Sequence, residues 1–152
     1  MRGKQIGPSR IDQDGRCRRG ADVRRLHGVT GEHVVYRNEV SHRFARAELL
    51  RRWRAGEVSR DEVCDADFLL VTAAQYHGVP AGHVCPVCES DDLRIVQWIH
   101  GEQLGRMAGT ARSDEEIARI VASGREATVH TVEVCPRCRW NHLLTAVTAT
   151  TR

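Results

Sequence analysis

Residues 129–144 read VHTVEVCPRCRWNHLL. Apolar and polar residues alternate through ATVHTVEV (127–134), the period of a half-buried strand. The alternation stops at Cys135-Pro-Arg-Cys138, and WNHLLTAVT (140–148) then reads as another strand. Two cysteines spaced by two residues at a tight turn form a knuckle, which brings both sulfurs to about 2.3 Å from one metal ion. The element has a counterpart upstream, where Cys85-Pro-Val-Cys88 precedes the strand-like LRIVQWIH (93–100).

The two pairs, Cys85 with Cys88 and Cys135 with Cys138, are separated by 46 residues. Together they predict a four-thiolate metal site. With all four positions taken by protein, no position is left for water, so the expected ion is one structural zinc. A single iron is the alternative. A redox dithiol explains one such pair but not two matched pairs beside strands. The glycine usual after the second cysteine of a knuckle is replaced by Glu89 and Arg139. His83, His100, His130 and His142 lie near the knuckles, as supporting donors, substitute ligands or packing residues. Cys64 reads as a small buried apolar residue, and Cys17 as an exposed thiol in a loose tail.

Upstream, apolar residues Val40, Phe44, Ala47 and Leu50 recur at helical spacing, with Leu49 and Trp53 widening the stripe, so a helix is predicted from about Tyr36 to Ala55. Ser59 with Glu62 forms a capping box for a short turn. Asp65 or Asp67 opens a second helix, FLLVTAAQYH, which Gly78 and Pro80 end. Ser113 with Glu116 forms a second capping box, opening a helix at 113–123 that accounts for the long spacer between the cysteine pairs. The predicted fold is α+β: two N-terminal helices, then a three-stranded antiparallel zinc ribbon with one inserted helix. Residues 1–34 are expected to be a disordered extension, 35–79 the helical part and 80–152 the ribbon.

The chain has 152 residues and a net charge of +3. Residues 1–60 carry 15 basic and 7 acidic side chains, while the remainder is mildly acidic. The basic excess suits a polyanion, and Arg43, Arg46, Arg51, Arg52 and Arg54 on the first helix are the candidate nucleic-acid contacts. Lys4 is the only lysine, so the arginine richness also reflects composition. In the loop GEQLGRMAGTARS, Arg106, Arg112 and Ser113 stand at a helix start, where free N–H groups can hold an anion. Neither a phosphate-binding glycine motif nor a Ser-His-Asp or Cys-His arrangement is present. With no secretory signal and no apolar run of membrane-spanning length, a cytoplasmic protein is expected.

EVCDADFLLVTAAQYHG, CPVC, LRIVQWIHGEQLGRMAGTAR and VHTVEVCPRCRWNHL together resemble a family of small actinobacterial proteins classed as a domain of unknown function. The resemblance spans about residues 35–148. That family is regarded as a zinc ribbon, which implies zinc on Cys85, Cys88, Cys135 and Cys138 and implies no activity. Its members tend to begin near position 35, so translation is expected to start near Val34 or Val35. Phe68 stands where relatives often have proline. The function expected is a non-enzymatic module docking on RNA polymerase, the ribosome or their nucleic acid. The alternatives are a protein–protein adaptor and an enzyme using the 101–113 loop as an anion site.

Overall fold

The first described segment that pairs is not a helix. A computed structural model describes residues 33–151, and within it Val35–Ser41 forms strand β1, followed by helix α1, Arg43–Arg54. The expectations for residues 1–32, Cys17 and the translation start among them, lie outside the described residues. Helices α2 (Arg60–Val63) and α3 (Phe68–His77) follow, then β2 (Val79–Pro80) and β3 (Arg94–His100). A 3-10 segment at Glu102–Met107 leads to β4 (Thr110–Ala111), helix α4 (Asp114–Ala122), β5 (Ala127–Val134) and β6 (Asn141–Thr150).

All pairings are antiparallel and build one six-stranded sheet in the order β1-β6-β5-β3-β2, with β4 also on β3. This corrects the predicted fold of two helices followed by a separate three-stranded ribbon. The segments expected as ribbon strands become β3, β5 and β6, but they run seven to ten residues and form the centre of a larger sheet. A strand also precedes the first helix. The error has a local cause. Tyr36, Val40 and Phe44 have helical spacing, yet Phe44 is 85% exposed and none of the three joins the core. Val35–Ser41 instead lies along β6, with a bulge between Arg37 and Val40 where Asn38 takes a left-handed φ of 54°.

The buried stripe of α1 is Arg46, Leu49, Leu50 and Trp53, spaced for one helix face. A charged residue belongs to that stripe because a buried carboxylate meets it. Glu133 on β5 is 1% exposed and pairs with the Arg46 guanidinium, and the indole N–H of Trp140 donates to its Oε1 at 2.9 Å.

Helices cover parts of both sheet faces. Strand alternation puts Ile99 and Val129 on one face, under Ile117, Ile120 and Val121 of α4. Val96, Val132 and Val134 point to the other, against Ala73 and Ala74 of α3. The sequence-predicted caps hold α2, α3 and α4: Ser59, Asp67 and Ser113 accept from the N–H groups of Glu62, Leu70 and Glu116. No helix among the described residues is long and apolar enough to cross a membrane.

Gly78 lets α3 turn directly onto the sheet. A Cβ there would lie 2.3 Å from the Ala74 carbonyl oxygen and 2.9 Å from Arg94 Cβ. Gly78→Ala is therefore expected to destabilise the fold by about 1–3 kcal/mol, read as a lower denaturant midpoint; an unchanged midpoint would show that the α3–β3 approach is loose.

Candidate metal centre

Each knuckle is a turn closed by the same two backbone bonds. In the first, Cys85 N–H donates to Ser90 O at 2.8 Å and Glu89 N–H to Cys85 O at 3.0 Å. In the second, Cys135 N–H donates to Trp140 O at 2.8 Å and Arg139 N–H to Cys135 O at 2.9 Å. The fifth residue of each, Glu89 and Arg139, sits at positive φ, 60° and 69°. That is the position where glycine is usual, so both residues accept left-handed backbone strain to keep the turn.

The sheet brings the knuckles together. The first leads through Leu93 into β3, and the second joins β5 to β6, where Val134 pairs with Asn141. Since β3 pairs with β5 and Arg94 faces Val134, both turns emerge at one end of the sheet. The four sulfurs lie within 4.8 Å of one another, with Cys85 Sγ 3.6 Å from Cys138 Sγ and Cys88 Sγ 3.6 Å from Cys135 Sγ. Sulfurs at tetrahedral corners about 2.3 Å from one ion would stand roughly 3.8 Å apart. The donor set thus fits a tetrahedral thiolate-bound metal ion. Cys85 and Cys135 are fully buried, and Leu50, Val63, Leu93 and Trp140 pack around them.

Burial pushes the Cys85 thiol up to about 11, against N–H groups of Cys88 and Val87 that favour the thiolate. Burial likewise pushes Cys138 up. At Cys88 burial also acts upward, but the Ser90 N–H and neighbouring sulfurs outweigh it and lower the pKa. The pocket disfavours gathered thiolate charge, which a cation at its centre would compensate. The backbone N–H of Trp140 also donates to Cys138 Sγ, at 3.4 Å.

The other predicted residues scatter. Arg46 is drawn inward to Glu133; Arg51 pairs with Glu48 at 2.8 Å and Glu57 at 3.3 Å, and Arg52 with Glu57 at 3.5 Å. Arg43 and Arg54 are exposed and have no acidic partner among the described residues. In the 101–113 loop, Ser113 Oγ caps Glu116 N–H and Arg112 pairs with Glu116 at 3.0 Å, while Arg106 is exposed on the 3-10 segment. The start of α4 carries Asp114, Glu115 and Glu116, so carboxylates already occupy the place proposed for an anion. Cys64 packs against the cysteine cluster. His83 stands 3.7 Å from Glu133, and His142 stacks on Trp140 at 6.0 Å between ring centroids.

Glu133 is the participant sequence reasoning missed. It occupies a polar position in an alternating strand, which reads as a solvent position, and only its partners on α1 and in the knuckle reveal it as buried. The left-handed residues separate by their side chains. Glu89 is exposed, whereas Arg139 Nε donates to Ala66 O at 2.6 Å. Glu89→Gly is expected to raise the stability of the folded protein by about 1 kcal/mol, with Arg139→Gly gaining less. Denaturant unfolding measures both, and equal gains would mean the Ala66 bond contributes nothing.

The family model described as "Family of unknown function (DUF5318)" matches residues 33–151. Uncharacterized proteins of Mycobacterium bovis and Mycobacterium tuberculosis are 42% identical over 99 residues, which is 65% of this chain and 72% of theirs. No solved structure matches. The motif resemblance read from the sequence over residues 35–148 falls inside the matched region, and the chain belongs to the DUF5318 family.

Proposed function

We propose that this chain is a non-catalytic binding module, tied at one end of its sheet by a single structural zinc ion, whose partner is another protein. The observation that carries the zinc reading is the closed arrangement of four cysteine sulfurs within 4.8 Å, two of them on fully buried residues. Four thiolates satisfy a tetrahedral ion and leave no open position for a substrate, which argues against zinc catalysis. Zinc tolerates this geometry without redox change, and iron in the same donor set would colour the protein. Thiolates kept free for a metal suit a reducing compartment such as the cytoplasm.

A protein partner is supported by α3. Phe68, Leu69 and Tyr76 on its outer side are 78%, 66% and 79% exposed, and exposed Val79 continues the patch. Exposed Asp61, Asp65 and Asp67 flank its start, so the complementary partner presents an apolar stripe with basic residues at one end. The reading as a module docking on RNA polymerase, the ribosome or their nucleic acid draws less support from the arginines. Three of its five arginines, Arg46, Arg51 and Arg52, already pair with carboxylates. An enzyme with an anion site in the 101–113 loop draws less still, because Glu116 engages both Ser113 and Arg112.

Two measurements test the reading. Metal analysis is expected to find one zinc per chain, and a strong chelator or Cys135→Ser to unfold the protein, since apparent binding energies of structural zinc are about 10–16 kcal/mol. A chain that stays folded without metal would remove the structural role. Affinity capture from the native host is expected to retain a protein partner after nuclease and to lose it with Leu69→Glu plus Tyr76→Glu. Capture that disappears with nuclease and survives those substitutions would return the function to the arginines.

A further inference from the structure

We propose that His100 and His130 form a second metal site, open to solvent and separate from the cysteine centre, that takes a divalent first-row transition ion such as nickel, copper or zinc. The register of β3 and β5 pairs Trp98 with His130 and His100 with Thr128, so the two histidines are diagonal neighbours on one sheet face. Their ring centroids are 4.7 Å apart and the rings are tilted by 51°, not stacked flat. Two imidazole nitrogens bound to one ion at 2.0–2.1 Å lie about 3 Å apart, within reach of this pair by modest side-chain rotation.

Three observations make the pair more than a packing contact. Neither ring has a hydrogen-bond partner among the described residues, whereas His83 and His142 engage the carbonyls of Ala81 and Leu143. Among the described residues the four ring nitrogens are therefore uncommitted, and both histidines lie on paired strands. Burial, helped by His100 and His42 nearby, keeps the His130 pKa below its ordinary value, so its imidazole is neutral near pH 7, the form that binds metal. Beside the pair lies a cleft of about 240 Å³ lined by Gly101, Glu102, Gln103, Glu126 and Thr128, the last being the register partner of His100. Glu102 and Glu126 in its lining add negative charge near His100, and water completes the ion's coordination.

Separation from the cysteines follows from the strand. His100 ends β3 and Arg94, near the knuckles, begins it, a span of roughly 20 Å at strand rise. The chemistry differs as well. Four thiolates close one site, while two imidazoles leave most coordination positions to water, so this ion exchanges readily.

The probe is nickel, titrated calorimetrically into protein whose cysteine centre retains its native metal. One equivalent is expected to bind without thiolate-to-nickel charge-transfer absorption. His100→Ala and His130→Ala should each weaken that binding by about tenfold or more, with His77→Ala unchanged. His130→Gln replaces His130→Ala if circular dichroism shows the alanine variant to be misfolded. Absence of the equivalent in the native protein, its persistence in both variants, or thiolate absorption as it binds would each overturn the site.

Discussion

Four cysteine sulfurs lie within 4.8 Å of one another, and that convergence ties the register of β3 to those of β5 and β6. One knuckle precedes β3 and the other bridges β5 and β6, so Arg94, Val134 and Asn141 must stand level for the thiolates to converge. Strand register is otherwise open to error, because a slip of one residue turns every side chain to the opposite face. Here such a slip would separate the cysteines, turn Glu133 from Arg46, and expose Val129 while burying Thr128. The apolar shell of Leu50, Val63, Leu93 and Trp140 then closes around the sulfurs, joining α1 and α2 to the residues that enter β3 and β6 at this end.

Glu133 extends the constraint outward. A carboxylate buried two residues before Cys135 requires strong partners, and it has the Arg46 guanidinium and the Trp140 indole. Replacing such a pair by apolar residues is often neutral, while removing one partner is strongly destabilising. The pair fixes the rotation of α1 on the sheet. Arg46, Leu49, Leu50 and Trp53 face inward, and Phe44 is left in solvent.

Local chemistry was legible in the sequence wherever spacing and capping carried it. The four cysteines, the two capping boxes, the Gly78 stop and the three central strands all rest on residues a few positions apart. Long-range pairing was not legible. Nothing near Val35–Ser41 announces that β6 waits for it, and Tyr36, Val40 and Phe44 imitate a helical stripe by coincidence of spacing. The ribbon was a local reading of two knuckles, and only the continuous pairing of β1, β6, β5 and β3 turns it into a sheet. Arg46 shows the same limit. Of the arginines on α1, it alone is aimed at a buried acid, and that acid lies 87 positions away in the chain.

Helix α3 is where sequence and environment disagree in a useful way. FLLVTAAQYH is apolar around most of its circumference, a pattern that ordinarily marks a helix enclosed on all sides. The sheet takes one side, through Ala73 and Ala74, whose small side chains bring the backbone close to Val96 and Val134. The large residues Phe68, Leu69 and Tyr76 lie on the other side, in water. Folding alone would be served about as well by polar residues there, since that face is largely exposed within the described chain. The arrangement places small residues inward and bulky ones outward, the reverse of what stability of the isolated domain favours. The cysteine cluster at one end of the sheet could hold a metal ion, and the exposed apolar face of α3 is what supports the proposed protein partner.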